Sequence, residues 1–275
     1  MTTEQRPPIP EPLFVDIETV PIYEEFPDNT MLGALFLKQF RYDINRELDK
    51  FGPMERESVY RGIRQEIWNK KASVTAEYGK IVCISAGKVI NGKEEAELHV
   101  KTLFDTDEQK LLIEFKQMLL KPKDQDSVRL CAHNGKEFDF PWLFRRMIVN
   151  KIIPPSVLYH IAYSGTMIKP WDMRLDDTLE MWGGTQWKHM AGIALLTEIF
   201  GLQTPKGDMD GSMVAEVYYS IFREDVSELP FDKEDRIKAA KKRISDYCAG
   251  DIVALVNLFC RMKGYNIINK VIYAQ

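Results

Sequence analysis

The chain has 275 residues, 45% of them hydrophobic and 28% charged, with a formal net charge of −4; this is the make-up of an ordinary folded protein and excludes disordered and fibrous classes. Without a basic excess, a long sequence-independent grip on duplex nucleic acid is disfavoured, because such grips replace condensed counterions with Lys and Arg. A short footprint on a few terminal nucleotides remains compatible with this balance.

Residues 1–12 are polar and proline-rich, which predicts an extended lead-in, and residues 13–275 are expected to form one domain. Leu13-Phe14-Val15-Asp16-Ile17-Glu18 is short, apolar and β-favouring, a buried strand that ends in a turn at Pro21. Residues 24–76 are charged, with Leu32, Leu35, Phe36, Phe40, Ile44 and Leu48 at spacings of three and four. This predicts a helical insertion after the first strand, serving as a lid or substrate guide or as a solvated decoration. Lys80–Ile90 and Glu97–Phe104 read as two strands, and Asn91-Gly92 as a type I′ hairpin turn between them. Thr106 or Asp107 is placed to cap a helix that runs to Leu120 and is stopped by Pro122. Val128–Ala132 predicts another buried strand, followed by a polar break and a helix over Phe138–Val149. Further helices are expected near 175–182, 189–200, 211–223 and 234–263, giving an α/β fold with a mixed sheet flanked by helices.

Four cysteines, Cys83, Cys131, Cys248 and Cys260, form no CxxC pair, which speaks against zinc and redox centres. No stretch approaches the roughly 18 apolar residues of a membrane span, so no membrane partner is expected and the protein reads as cytoplasmic with reduced thiols.

Three short segments carry the chemistry. Asp16 and Glu18 stand two apart on a strand, so both carboxylates point to one face. Adjacent carboxylates repel and are costly to desolvate, and a divalent cation is one way to keep both ionised; alone, the pair also fits a frayed strand end. Asn134-Gly135-Lys136-Glu137-Phe138-Asp139 places an acid between aromatics after a strand, where it serves either a site or the first turn of a helix. Tyr247 and Asp251, four apart in a helical stretch, share one helix face.

Taken together and in this order, the segments resemble the three motifs of the DEDD (DnaQ-like) superfamily of 3′-5′ exonucleases, in the subclass with tyrosine in the third motif. Asp16-Ile17-Glu18-Thr19 and Asn134-Gly135-Lys136-Glu137-Phe138-Asp139 are most similar to the proofreading exonuclease domain of family B DNA polymerases, here as a stand-alone exonuclease. The resemblance spans residues 13–263 and leaves 24–76 without a counterpart. It implies an RNase H-like fold and two divalent cations, Mg²⁺ or Mn²⁺, held by Asp16, Glu18, Asp139 and Asp251, with Tyr247 orienting the attacking water. It also implies a DNA 3′ end, single-stranded or frayed, as substrate. Thr19, Asn134 and Phe138 are candidate contacts to the terminal nucleotide, roles that compete with core or turn packing. An RNA strand and a catalytically silent nucleic-acid-binding module are the alternatives. The pair Arg145-Arg146 and the run Lys238 to Arg243 read as phosphate contacts or solvated helix faces. Trp182 and Trp187 read as core or stacking residues.

Overall fold

The computed structural model describes residues 12–92, 95–122, 127–162, 174–186, 191–203, 209–223 and 232–274. Residues 1–11 of the expected lead-in, together with Trp187, lie outside them. Two compact units divide the chain: residues 1–18, 82–210 and 241–275 make the first, and 19–81 and 211–240 the second.

Among the described residues the sheet has six strands, in the order β5-β4-β1-β2-β3-β6. They are β1 (Leu13–Pro21), β2 (Gly79–Asn91), β3 (Ala96–Phe104), β4 (Leu130–Ala132), β5 (Leu175–Asp177) and β6 (Lys270–Ala274). β4 runs parallel to β1 and β5 parallel to β4, whereas β2 and β3 are antiparallel and β6 joins β3 in parallel. This mixed sheet, flanked by helices, is the α/β architecture expected of the sequence.

In the first unit, α10 (Lys233–Met262) is the long helix that lies on the sheet from residue 241 onward. Its Ile252, Leu255, Val256 and Phe259 share a core with Phe14, Val89, Leu98 and Cys131, and the Phe14 and Phe259 rings meet edge to face at 5.2 Å. Gly87 makes this approach possible: a Cβ there would stand 2.5 Å from Ile252 Cγ2. α4 (Glu108–Leu119) and α5 (Asp139–Val149) are tied by a buried pair in which the Arg146 guanidinium donates to both Glu108 oxygens, at 2.9 and 2.6 Å. That pairing satisfies both charges away from water and leaves Arg146 no role as a phosphate contact. The remaining helices of the unit are α6 (Ser156–Ala162), α7 (Thr178–Gly183) and α8 (Ile193–Ile199). All four cysteines are buried free thiols, on β2, β4 and α10.

The second unit has its own core. α1 (Met31–Gln39), α2 (Arg41–Leu48) and α3 (Arg56–Ala72) fill the stretch expected to be helical. Phe26, Phe36, Trp68 and Tyr78 are buried among them, with Phe36 edge-on to Trp68 at 4.9 Å and to Tyr78 at 5.1 Å. Trp68 Nε1 donates to the Tyr23 carbonyl at 3.0 Å, so the indole is buried with its donor satisfied. α9 (Val214–Tyr219) belongs to the same unit.

Several local expectations are corrected. Asn91 pairs with Ala96, and the Gly92 N–H donates to the Glu95 carbonyl at 3.1 Å, so the hairpin closes one step beyond Asn91-Gly92. Residues 93 and 94 lie outside the described ones. The register follows burial, since Val89 opposite Leu98 places both in the core. Residues 175–177 are strand, because Leu175 is buried in register with Leu130, and the helix begins only at Thr178. The helix expected over 211–223 shrinks to a 3₁₀ turn at Gly211–Met213 followed by the six residues of α9. Asp107, not Thr106, caps α4, accepting from the Gln109 and Lys110 N–H groups.

Candidate active site

The site grows from a mismatch in strand length. β4 ends at Ala132 whereas β1 continues to Pro21, so the sheet opens beside the second half of β1. The Leu13 N–H faces the β4 side, donating to the Arg129 carbonyl. By the two-residue period the Ile17 N–H faces the same side, where no strand among the described residues accepts it. Asp139 accepts it instead, through Oδ1 at 3.2 Å. As the first residue of α5, Asp139 also sits where a helix favours negative charge.

The loop from β4 to α5 is shaped for this purpose. Asn134 has φ +61°, a left-handed conformation that reverses the chain. At Gly135 a Cβ would stand 2.3 Å from Ala132 Cβ and 3.0 Å from the Phe140 ring, so no larger residue fits without displacement. Asp177, which the sequence reading left without a role, holds the loop from outside. Its Oδ1 accepts from the Asn134 and Leu179 N–H groups, both at 2.9 Å, and its Oδ2 from the Lys136 N–H at 3.0 Å.

On the other side, alternation along β1 puts Phe14, Asp16 and Glu18 on the face covered by α10, which brings Tyr247, Cys248 and Asp251. The Tyr247 hydroxyl hydrogen-bonds the Asp251 carboxylate. Cys248 donates its thiol to Asp16 Oδ2 at 3.2 Å. Ligand atoms of Asp16, Glu18 and Cys248 lie within 4.8 Å of one another. Asp139 and Asp251 fall outside that group, yet their charges act on both Asp16 and Glu18. The structure therefore brings the four acids and Tyr247 into one interacting cluster, and adds a thiol that no motif announced.

The electrostatics are those of concentrated, poorly solvated negative charge. Glu18 is 8% exposed, Asp139 4% and Asp251 8%. Burial first, then the charges of Asp251, Glu18 and Asp139, push the Asp16 carboxyl well above its ordinary range. Glu18 is raised likewise by burial and by Asp251, Cys83 and Asp139. Burial raises Asp139 to about 7 against the pull of its backbone hydrogen bonds, and Asp251 to about 6 against the Tyr247 hydrogen bond. The Tyr247 phenol is itself pushed up, by burial and by the carboxylates of Asp251, Glu18 and Asp16. Among the described residues no Lys, Arg or His pairs with any of the four acids, and Glu18 has no hydrogen-bond partner. Crowded buried carboxyls are relieved by protonation or by a bound cation, and their oxygen donors suit Mg²⁺ or Mn²⁺.

The three candidate nucleotide contacts are placed differently. Phe138 is half-buried beside Trp142, ring centroids 5.6 Å apart, at the turn into Asp139. Asn134 uses its backbone to build the loop, its N–H bound to Asp177 and its carbonyl accepting from the Glu137 and Phe138 N–H groups. Thr19 belongs to the second unit, where its hydroxyl donates to the Ser73 carbonyl at 2.5 Å and it lines a cavity of about 600 Å³ with Asn69, Lys70 and Arg223. Trp182 packs edge to face on Phe200 at 5.5 Å. His133 bonds Thr178 and the Ala191 carbonyl, and burial lowers its pKa, which marks it as structural.

No helix among the described residues is long and apolar enough to cross a membrane. A comparison with curated proteins finds no match. Among solved structures the chain is similar to the family B DNA polymerase of the hyperthermophilic archaeon Pyrobaculum calidifontis, at 11% identity and a TM-score of 0.44. The match covers 93% of this chain, which spans about 27% of that polymerase's length. Residues 74–230 match the family described as predicted 3′-5′ exonucleases related to the exonuclease domain of PolB. That range holds Asn134 to Asp139 and leaves Asp16, Glu18, Tyr247 and Asp251 outside it. More than half of the chain is matched, and it belongs to this family of predicted PolB-related 3′-5′ exonucleases.

Proposed function

We propose that the chain is a metal-dependent 3′→5′ exonuclease that removes nucleoside monophosphates from the 3′ end of a DNA strand. The observation that carries this reading is the cluster of four buried carboxyls with no cationic side chain among the described residues to neutralise it. Asp16, Glu18, Asp139 and Asp251 would hold two divalent cations, with Asp16, Glu18 and Asp251 serving the attacking water and Asp139 the departing 3′ oxygen. Such a pair of ions, when bound, ionises water at neutral pH and neutralises charge on the transferring phosphate and the leaving oxygen.

The chain's own residues do the rest. Tyr247, with its pKa raised and its hydroxyl donating to Asp251, stays a phenol and orients water by hydrogen bonding without acting as a base. Asp139 ties α5 to β1 through the Ile17 N–H, which fixes the two halves of the site against each other. Phe138 offers a ring face for the terminal base, and Asn134 completes the proposed nucleotide contacts. The net charge of −4 suits a substrate gripped over a few nucleotides.

The test is release of mononucleotides from single-stranded DNA labelled at its 5′ end, with Mg²⁺ or Mn²⁺ and with chelator. Stepwise shortening that needs the cation and disappears in Asp16→Ala is the expected result. Equal or faster shortening of a matched RNA strand would overturn the DNA assignment, and full activity in Asp16→Ala would overturn the site.

A further inference from the structure

Cys248 is out of place in a pocket built for hard cations. Mg²⁺ and Mn²⁺ prefer oxygen donors, whereas thiolate sulfur selects Zn²⁺ and its heavier congener Cd²⁺. Yet the Cys248 Sγ stands 3.2 Å from Asp16 Oδ2, and with Asp16 and Glu18 it forms a set of donor atoms within 4.8 Å of one another. Glu18, 8% exposed, brings a carboxylate with no hydrogen-bond or ion-pair partner among the described residues. We propose that this pocket also takes a thiophilic divalent cation, Zn²⁺ or Cd²⁺, through Cys248 Sγ and the carboxylates of Asp16 and Glu18, and that this occupancy inhibits the enzyme.

Zinc sites have Zn–S near about 2.3 Å and Zn–O near about 2.1 Å, which in a tetrahedron puts sulfur and oxygen about 3.6 Å apart. The Cys248 Sγ–Asp16 Oδ2 separation of 3.2 Å lies just below that spacing and the outer limit of 4.8 Å above it, so the set brackets the tetrahedral geometry. The ligation step is an exchange of a proton for a metal. The Cys248 S–H bond breaks, its electron pair forms the S–metal bond, and the proton leaves to solvent, with no change of oxidation state. A hard cation does not drive this exchange, so with Mg²⁺ the thiol keeps its proton and its hydrogen bond to Asp16. With Zn²⁺ or Cd²⁺, Asp16 and Glu18 are drawn into a sulfur-anchored site and withdrawn from the arrangement proposed for hydrolysis. The inhibitory consequence rests on the exonuclease reading; the sulfur ligation does not.

The experiment therefore reads the two separately. Cd²⁺ is titrated into chelator-treated, desalted protein while thiolate-to-Cd²⁺ charge-transfer absorbance is followed in the ultraviolet. A band saturating at one equivalent is expected for the wild-type chain and for Cys83→Ser, lost in Cys248→Ser and in Cys248→Ala, and shifted to higher Cd²⁺ in Glu18→Gln. No band in the wild type, or one that persists in both Cys248 variants, overturns the proposal. In parallel, Zn²⁺ added to the Mg²⁺-supported digestion of single-stranded DNA should lower the rate, with more Zn²⁺ needed in whichever Cys248 variant retains turnover; equal zinc sensitivity overturns the inhibitory role. Absence of digestion by wild type without zinc would sink the nuclease reading and leave the absorbance result to decide the ligand.

Discussion

Replacing Asp139 with asparagine removes a charge while retaining a side-chain oxygen that can accept the Ile17 N–H. The carboxyl is raised from an ordinary 3.8 to about 7, chiefly by burial. At about 1.4 kcal/mol for each tenfold change in proton affinity, ionising it in the fold costs about 4 kcal/mol. Because the folded value lies above the unfolded one, the fold favours the protonated acid. The stability this group contributes is intact below the unfolded value and is lost as pH rises through the folded one. More than half of that loss falls between about pH 5 and about pH 8. Denaturant unfolding in the presence of chelator should therefore show the wild-type chain weakening over this interval. Asp139→Asn should weaken less and be more stable by a few kcal/mol at the upper end, while losing its nuclease activity. Asp16 and Glu18 reinforce the effect, since Asp139 is among the charges that raise both. Equal loss of stability in the two proteins across this interval would refute the view that the pocket is an uncompensated cluster of charge.

Tyr247→Phe keeps the ring and removes the hydroxyl that bonds Asp251; turnover should fall by about 10- to 100-fold with the fold unchanged, measured as kcat under saturating DNA. Since Tyr247 stays protonated, the alkaline limb of the wild-type rate profile should not be set by its ionisation. Asp177→Ala strands three backbone N–H groups. At about 1–3 kcal/mol for each donor left unsatisfied, it should destabilise the chain by several kcal/mol in a urea melt. Asp177→Asn, which keeps acceptor oxygen, should recover part of that loss. Gly135→Ala must push its Cβ past Ala132 and Phe140, which should cost about 1–3 kcal/mol of stability in the same assay and reduce turnover by moving the loop before Asp139.

What was legible in the sequence was what local geometry determines. The two-residue period put Asp16 and Glu18 on one face, and the four-residue period did the same for Tyr247 and Asp251; both hold in β1 and α10. The helical stretch after β1 was read from spacing alone and became α1, α2 and α3 with a separate aromatic core. What escaped was set by long-range packing. Asp177 holds backbone groups more than forty positions earlier in the chain, and nothing in Leu175-Asp176-Asp177 distinguishes a strand ending in a clamp from the start of a helix. Cys248 meets Asp16 only because α10 lies close on β2 over Gly87. The hairpin register was decided by which of Val89 and Ile90 enters the core, a choice that a good turn dipeptide cannot make.

The burial of all four sulfhydryls in different elements makes the protein a reporter on itself. Cys83, Cys131, Cys248 and Cys260 are each 0% exposed, so an alkylating reagent modifies them only when the surrounding element opens. The order in which peptides carrying these residues acquire label, followed by mass, would rank the opening of β2, β4 and two turns of α10 without introducing any probe.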